Sequence, residues 1–180
     1  LLPTLVSRCQ LLKLRPVSRS LIVRELETRH GVDGERADEV ARLSRGRPGW
    51  AIDAVTRPGA LEQLNKTLGA IEGVISGGIE ARFSYAADLA ASFGRNRDPV
   101  RQELALWLEW WRDVMLAKEG DPGTVTHLSR MEALGPLAEA LSTTQVARAI
   151  NAILEAEEQL DRNINPRLSL EEMVLALPRR

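Results

Sequence analysis

The chain has few of the residues that support cross-linking, metal binding or nucleophilic chemistry. Its 180 residues include one cysteine, Cys9, and two histidines, His30 and His127. A single cysteine cannot form an internal disulfide, which excludes a disulfide-stapled secreted fold. One cysteine and two separated histidines also cannot supply the ligand spacing of a zinc site. We therefore expect no metal in this chain.

An excess of charge of one sign is also missing. Lysine and arginine total 24 and aspartate and glutamate total 25, which gives a net charge of −1. A nucleic-acid-binding domain usually carries a basic excess. No apolar run approaches the roughly 20 residues that a membrane span requires, so we expect no membrane partner. The glycines are scattered, and no Gly-Lys-Ser/Thr phosphate loop is present.

What is present is helical periodicity, which predicts an all-α chain. Only Leu11 to Arg15, before Pro16, resembles a short strand. Three short helices are predicted next, of which the first runs from about Arg19 to His30. Asp33 can cap the second, and the third starts near residue 48. The turn at residues 57–59 is the best domain boundary.

From Ala60 the helices lengthen, and their apolar stripes predict a bundle of five or six helices. Asp98 and Pro99 are predicted to start the central helix, whose apolar residues cover much of its circumference. Capping boxes are predicted at Ser142 and at Ser169. The apolar stripe of the preceding helix is predicted to contain Ile79, Phe83, Ala86, Ala90 and Phe93.

Few side chains point to chemistry. His30 is predicted at a helix end, where positive charge is favourable, and His127 is predicted in a loop without a Cys or His partner. Trp107, Trp110 and Trp111 share one helix and are interpreted as core or interface residues. Taken alone, the chain shows no self-sufficient active site, which favours an interaction module or one part of a composite site.

Several residue runs resemble one family. Residues 1–10, Leu-Leu-Pro-Thr-Leu-Val-Ser-Arg-Cys-Gln, resemble the Ser-Arg-Cys segment of clamp-loader AAA+ ATPases. Residues 44–52 are similar to the sensor 2 region of the AAA+ lid domain. The Trp-Trp-Arg-Asp run at 110–113 and residues 163–171 are similar to the helical collar of bacterial delta-prime subunits of the DNA polymerase III clamp loader.

The resemblance implies a domain organisation. Residues 1–16 would be the C-terminal remnant of an AAA+ nucleotide-binding domain, residues 17–57 a three-helix lid, and residues 58–180 a helical collar for oligomerisation. Active ATPase subunits of the family carry a nucleotide-contacting arginine in sensor 2, and that position falls on Gly49 here. Arg45 and Arg47 could replace it only with a shift in register. This departure favours a subunit that does not hydrolyse ATP itself.

The resemblance also implies site residues. Arg8 would be an arginine finger that acts in trans on ATP bound by the neighbouring subunit, with Ser7 and Cys9 holding its loop. The chain itself would bind no cofactor. The candidate subunit-interface residues are Trp107, Trp110, Trp111, Arg112, Asn163, Asn165, Arg167 and Glu171.

The implied partners are the gamma/tau and delta subunits of the loader, with the sliding clamp and primed DNA reached through the whole assembly. The implied location is the bacterial cytoplasm, at the replisome, within a DNA-directed DNA polymerase (nucleotidyltransferase) complex. Two alternatives stay open: an ATP-hydrolysing gamma/tau-type subunit of the same loader, and an unrelated helical nucleic-acid-binding module.

Overall fold

The computed structural model describes residues 8–10, 14–57 and 59–178, and over these residues it contains nine α-helices and no strand. The prediction of an all-α chain is confirmed. Leu14 and Arg15, at the end of the predicted strand, have no regular structure. Residues 11–13 of that prediction lie outside the described residues.

The chain divides into two compact units, Leu1–Ala60 (unit 1) and Leu61–Arg180 (unit 2). The division falls close to the turn at residues 57–59 that the sequence indicates as a boundary; Pro58 in that turn lies outside the described residues. Each unit has its own buried apolar residues.

The described residues of unit 1 form three helices, α1 (Arg19–His30), α2 (Gly34–Ser44) and α3 (Pro48–Thr56). Each helix packs against the other two. Two helix boundaries follow from local chemistry. Gly31 ends α1 in the left-handed conformation, with φ of 63°, and the Asp33 side chain accepts a hydrogen bond from the Glu35 amide, which starts α2. The core comprises Ile22, Leu26, Ala37, Val40, Ala41, Ala51 and Ala54.

The turn between α2 and α3 holds the preceding segment in place. The Val17 amide donates to the Gly46 carbonyl at 2.9 Å. Gly46 has φ of 79°, and a Cβ there would lie 2.5 Å from the Pro16 Cβ. Only glycine fits this position, because any side chain would be both strained and in collision with Pro16. Residues 16 and 17 therefore pack directly on the turn.

Unit 2 is a helical bundle around one core. Its helices are α4 (Ala60–Ser76), α5 (Ile79–Arg95), α6 (Arg97–Lys118), α7 (Met131–Ala140), α8 (Thr143–Asp161) and α9 (Pro166–Ala176). Two short 3-10 turns, Pro122–Thr124 and Leu128–Arg130, connect α6 to α7. Helix α6 packs against α5, α7 and α8, and α9 packs against α5 and α8. The predicted central position of α6 agrees with this packing.

Two predicted helix starts are wrong, by two residues at α6 and by four residues at α9. Asn96, rather than Asp98, caps α6, because its side chain accepts from the amide of residue 98. Asn165, rather than Ser169, caps α9. Ser169 lies inside α9, where its hydroxyl donates to the Asn165 carbonyl at 3.1 Å. The capping box predicted at Ser142 is confirmed.

The buried stripe of α5 is rotated from the predicted one. The buried positions are Arg82, Ala86, Leu89 and Phe93, while Ile79 is 46% exposed. Hydrophobic periodicity cannot place an arginine at the centre of an apolar face, so the predicted stripe followed Ile79 instead.

Arg82 is buried because its guanidinium closes the end of another helix. It donates to the carbonyls of Val174 at 3.0 Å, Leu177 at 2.8 Å and Pro178 at 2.7 Å. It also reaches the Ile75 carbonyl, at the end of α4, at 3.5 Å. The last carbonyls of a helix lack partners within the helix and carry partial negative charge. One side chain thus fixes the ends of both α4 and α9 to α5.

Candidate functional site

The predicted arginine finger lies on the surface. Arg8, Cys9 and Gln10 are exposed in a turn and bend ahead of α1, and Cys9 is a free thiol. Ser7 lies outside the described residues. A guanidinium in an exposed turn is accessible to an anion on another molecule.

The region similar to sensor 2 is formed by the α2–α3 turn and the start of α3. Gly49 lies exposed in the first turn of α3, with open space where a side chain would be. The Arg47 Nε donates to the Ser44 carbonyl at 2.9 Å. The Arg47 guanidinium lies 5.9 Å from the centre of the Trp50 ring, within the range of a cation–π contact. The position that the resemblance aligns with a nucleotide-contacting arginine therefore offers no side chain here.

The three tryptophans of α6 lie in the core. Trp107, Trp110 and Trp111 each have 0% exposed surface. The three tryptophans are therefore core residues, and their prediction as subunit-interface residues is wrong. A surface for a partner must consist of other residues. The Trp107 indole donates to the Tyr85 hydroxyl at 2.7 Å, and that hydroxyl donates to Glu103 at 2.7 Å. Burial, reinforced by the Glu103 carboxylate, raises the pKa of Tyr85.

The polar residues predicted at the interface gather mainly where α8 meets α9. Asn163 is in the left-handed region, with φ of 57°, and its side chain accepts from Arg97 at 2.9 Å. Asn165 caps α9, and Arg167 pairs with Glu171 at 2.7 Å. Two apolar side chains, Ile164 and Leu168, are exposed among them. We call this surface the α8–α9 corner: Asn163, Ile164, Asn165, Arg167, Leu168 and Glu171.

Arg112 belongs to a different feature. Its guanidinium is partly exposed and donates to the Thr126 hydroxyl at 3.2 Å. This hydrogen bond joins α6 to the α6–α7 connection. A buried polar cluster lies next to it.

That cluster is centred on Asp113 and His127. Asp113 is fully buried, and His127 is 2% exposed. The Asp113 carboxylate accepts from the amides of Thr126 at 3.0 Å and His127 at 2.8 Å. It also lies 2.9 Å from Nδ1 of the His127 ring. On the other side of the ring, a Glu109 oxygen lies 3.9 Å from Nε2.

His127 lies in the connection, as predicted, and its partners are the carboxylates of Asp113 and Glu109 rather than a Cys or His residue. Sequence reasoning missed the cluster because Asp113 and His127 are distant along the chain and meet only when the α6–α7 connection folds back on α6. One signal was available. Glu109 and Asp113 are four residues apart, which places two carboxylates on the same face of a helix that is otherwise apolar there.

The cluster organises the connection rather than exposing a reactive group. Burial alone would raise the pKa of Asp113, but the hydrogen bonds from the His127 ring and from the amides of Thr126 and His127 outweigh it and lower the pKa. The carboxylate therefore stays ionised and keeps accepting these bonds. Because Asp113 and His127 have almost no exposed surface, a substrate in solution does not reach them.

The substitution Asp113→Asn tests this anchoring role. We expect it to lower the free energy of unfolding by about 2 kcal/mol at pH 7, because buried amides lose part of their acceptor. Because the pKa of Asp113 is lower in the folded protein than in the unfolded chain, ionised Asp113 stabilises the fold at pH values above the unfolded pKa near 4. This contribution to stability is lost as the pH falls through the folded pKa. In urea titrations, the difference in free energy of unfolding between wild type and variant should therefore become smaller below pH 4.

The exposed residue Asp88 on α5 provides the matched control. Asp88→Asn should change the free energy of unfolding by less than about 0.5 kcal/mol. The anchoring role of an ionised Asp113 would be contradicted if wild type and Asp113→Asn differed by the same free energy of unfolding from pH 7 to pH 3.

The described part of the chain contains no group of three or more His, Cys, Asp or Glu residues arranged to hold a metal ion. None of its helices combines the length and the apolar character needed to cross a membrane. In comparisons with known proteins, no family model, curated protein or solved structure matches this chain.

Proposed function

We propose that the chain is the C-terminal part of a delta-prime-type subunit of a bacterial DNA polymerase III clamp loader. In this proposal residues 17–57 are the AAA+ lid and residues 58–180 the collar. The observation that carries it is the arrangement along the chain: an exposed Ser-Arg-Cys arginine, then three short helices in one compact unit, then a helical bundle in a second unit. The resemblance of the residue runs supports the same assignment.

Arg8 has the chemical role in this proposal. Phosphoryl transfer spreads negative charge over the γ-phosphate, and a planar, permanently charged guanidinium stabilises that charge. The ATP is bound by the neighbouring ATPase subunit, so the finger acts in trans. The exposure of Arg8 in a turn supports this role, because the side chain is accessible to a partner. The chain contributes to an enzyme complex without an active site of its own.

Unit 2 has the assembly role. As a collar it packs against the gamma/tau and delta subunits and holds the ATPase modules in register, and the loader as a whole engages the sliding clamp and primed DNA. Positioning matters, because small misplacements of a catalytic group forfeit much of its benefit. The α8–α9 corner is the proposed contact, since it combines exposed apolar side chains with hydrogen-bonding groups.

An ATP-hydrolysing gamma/tau-type subunit is the alternative within the same loader. Gly49 argues against it, because an exposed glycine offers no guanidinium to a nucleotide. The residues upstream of Leu1 discriminate the two: an intact Walker A motif there would favour the alternative.

An assembly experiment tests the proposed function. The 180-residue chain is mixed with purified gamma/tau and delta subunits from the same organism and analysed by size-exclusion chromatography. We expect one complex containing all three proteins. The double substitution Ile164→Glu and Leu168→Glu should weaken the complex at least tenfold, because it places charge in the apolar part of the interface.

Leu21→Glu is the matched control, since Leu21 is also an exposed leucine but lies on α1 of unit 1. It should leave the complex unchanged. Failure of the wild-type chain to join the complex would refute the proposed function. Equal weakening by the control would refute only the assignment of the α8–α9 corner.

A further inference from the structure

A groove of about 540 Å³ lies between α1 and α2 of unit 1. This volume is within the range of small-ligand sites. Five of its six lining residues follow the three- and four-residue spacing of one helix face. Between the first and the last of them, α1 advances about 12 Å, at about 1.5 Å per residue. The groove is lined by Arg19, Ser20, Val23, Arg24 and Glu27 of α1 and by Asp38 of α2.

The end of the groove at the start of α1 is positively charged. Arg19 pairs with Asp38 across the two helices. Arg42 of α2 lies 3.4 Å from the same carboxylate. Two guanidiniums therefore share one carboxylate, and this cluster has a net charge of +1. This end of the groove attracts an anionic group.

The opposite end of the groove is negatively charged. The Oε1 atom of Glu27 lies 3.0 Å from the position that a Cβ on Gly34 would take, so the glycine at the start of α2 leaves room for this carboxylate. Glu27 forms no ion pair with another described residue, and neither does Arg24, which lies between the two ends. These two exposed side chains therefore keep opposite charges that no described neighbour neutralises.

Two uncharged side chains complete the lining. Val23 is half-buried and apolar, and Ser20 is exposed, with its hydroxyl 3.3 Å from that of Ser18. About 10 Å of helix axis separates Ser20 from Glu27. An extended tripeptide covers a similar length, since a chain advances at most about 3.5 Å per residue. A ligand with an anionic end, a short middle and a cationic end matches this order of groups.

We propose that this groove binds a short free peptide of about three residues in its zwitterionic form. The α-carboxylate of the peptide accepts from Arg24 and from the Ser20 hydroxyl, its ammonium group donates to Glu27, and its middle residue contacts Val23. Charge-assisted hydrogen bonds of this kind are stronger than those between neutral groups. The inference goes beyond the proposed function, which assigns none of these side chains a role.

The test is a titration of the ¹⁵N-labelled 180-residue chain with the peptide Ala-Val-Ala at pH 7, followed by amide chemical shifts. We expect saturable shifts at Ser20, Val23, Arg24 and Glu27. The dissociation constant should be in the millimolar range, because exposed charge pairs each contribute little. Raising the salt concentration from 50 to 500 mM should weaken binding at least threefold, because exposed charges are screened.

Blocked peptides assign the two ends of the ligand. N-acetylation removes the ammonium charge and should weaken binding to the wild type at least threefold, with no further effect in Glu27→Gln. C-terminal amidation removes the carboxylate charge and should have the same effect on the wild type, with no further effect in Arg24→Ala. Within each pair the two changes remove the same contact, so their effects do not add.

Glu39→Gln and Arg36→Ala are the matched controls. They make the same charge changes at exposed positions of α2 that do not line the groove. Each should change the affinity for Ala-Val-Ala less than about twofold, because a solvated charge outside the groove is screened. Circular dichroism at the titration temperature shows whether each variant is folded.

Absence of saturable shifts up to about 20 mM peptide would overturn the proposal. Equal binding of a peptide blocked at both ends would also overturn it, as would equal weakening by the control variants. Sensitivity to only one of the two blocks would overturn the assignment to a free peptide, because the terminus of a protein chain offers only one of the two charges. The titration contains no loader subunit, so failure here and failure of the proposed function are distinguishable.

Discussion

Under the proposed function, Arg8→Ala is expected to slow ATP hydrolysis at the neighbouring subunit's site in the assembled loader by roughly 10³-fold. In the proposed role the guanidinium would stabilise charge that develops only in the transition state, so its loss should lower the rate of hydrolysis more than nucleotide affinity. The measurement is DNA-stimulated phosphate release, in single-turnover and steady-state form, by a loader reconstituted with the full-length subunit. Steady-state turnover falls less, because the remaining ATP sites keep their own catalytic groups.

Two variants sharpen this test. Arg8→Lys keeps the positive charge but lacks the planar fork, so it should restore only a small part of the rate. Arg36→Ala removes another exposed arginine of unit 1, from α2, and should leave phosphate release unchanged. Phosphate release by the Arg8→Ala loader at the wild-type rate would refute the role of Arg8 as a finger.

The second large effect is on folding stability. Arg82→Met is expected to lower the free energy of unfolding by about 3 kcal/mol, because it removes the donor to the carbonyls of Val174, Leu177 and Pro178 while leaving the first two buried. Methionine fills much of the same volume, so the loss reflects hydrogen bonding more than a cavity. Urea denaturation measures the effect.

Hydrogen exchange shows where it acts. Amides of α9 should exchange faster in Arg82→Met than in the wild type, since α9 loses its attachment to α5 at this end. Arg95→Met, at an exposed position of the same helix, should change stability by less than about 0.5 kcal/mol. If Arg82→Met and wild type had the same free energy of unfolding within error, these hydrogen bonds would make no net contribution to stability.

The extents of several helices could be predicted from the sequence because their ends are encoded locally. The predicted and observed limits of α1 agree at Arg19 and His30, where the signals are an apolar face and a following glycine. The capping box at Ser142 was readable for the same reason. At α6 the observed cap, Asn96, lies two residues before the predicted Asp98, and at α9 the observed cap, Asn165, lies four residues before the predicted Ser169. Asn96 has extended backbone in the structure, which caps require, and no local rule chooses between it and Asp98.

The polar contacts of the core could not be predicted in this way, because each joins residues far apart in sequence. Arg82 meets carbonyls more than ninety residues away, and Asp113 meets His127 across a connection rich in turn residues. A periodicity analysis counts both charged residues as solvent-facing. The tryptophans of α6 differ, because their spacing along the helix already limited them to the core or an interface. Only the packing of unit 2 shows that they lie in the core.

The anchored α6–α7 connection also limits how this protein can be engineered. Gly120 to Gly123 resembles the kind of surface loop that tolerates an inserted tag or label. Val125, Thr126 and His127 are nevertheless buried, and Asp113 fixes their position. An insertion beside the exposed Thr124 should be accommodated, whereas the same insertion two residues later would have to break the Asp113 contacts. For labelling or permutation, this connection behaves as surface up to Thr124 and as core from Val125 to His127.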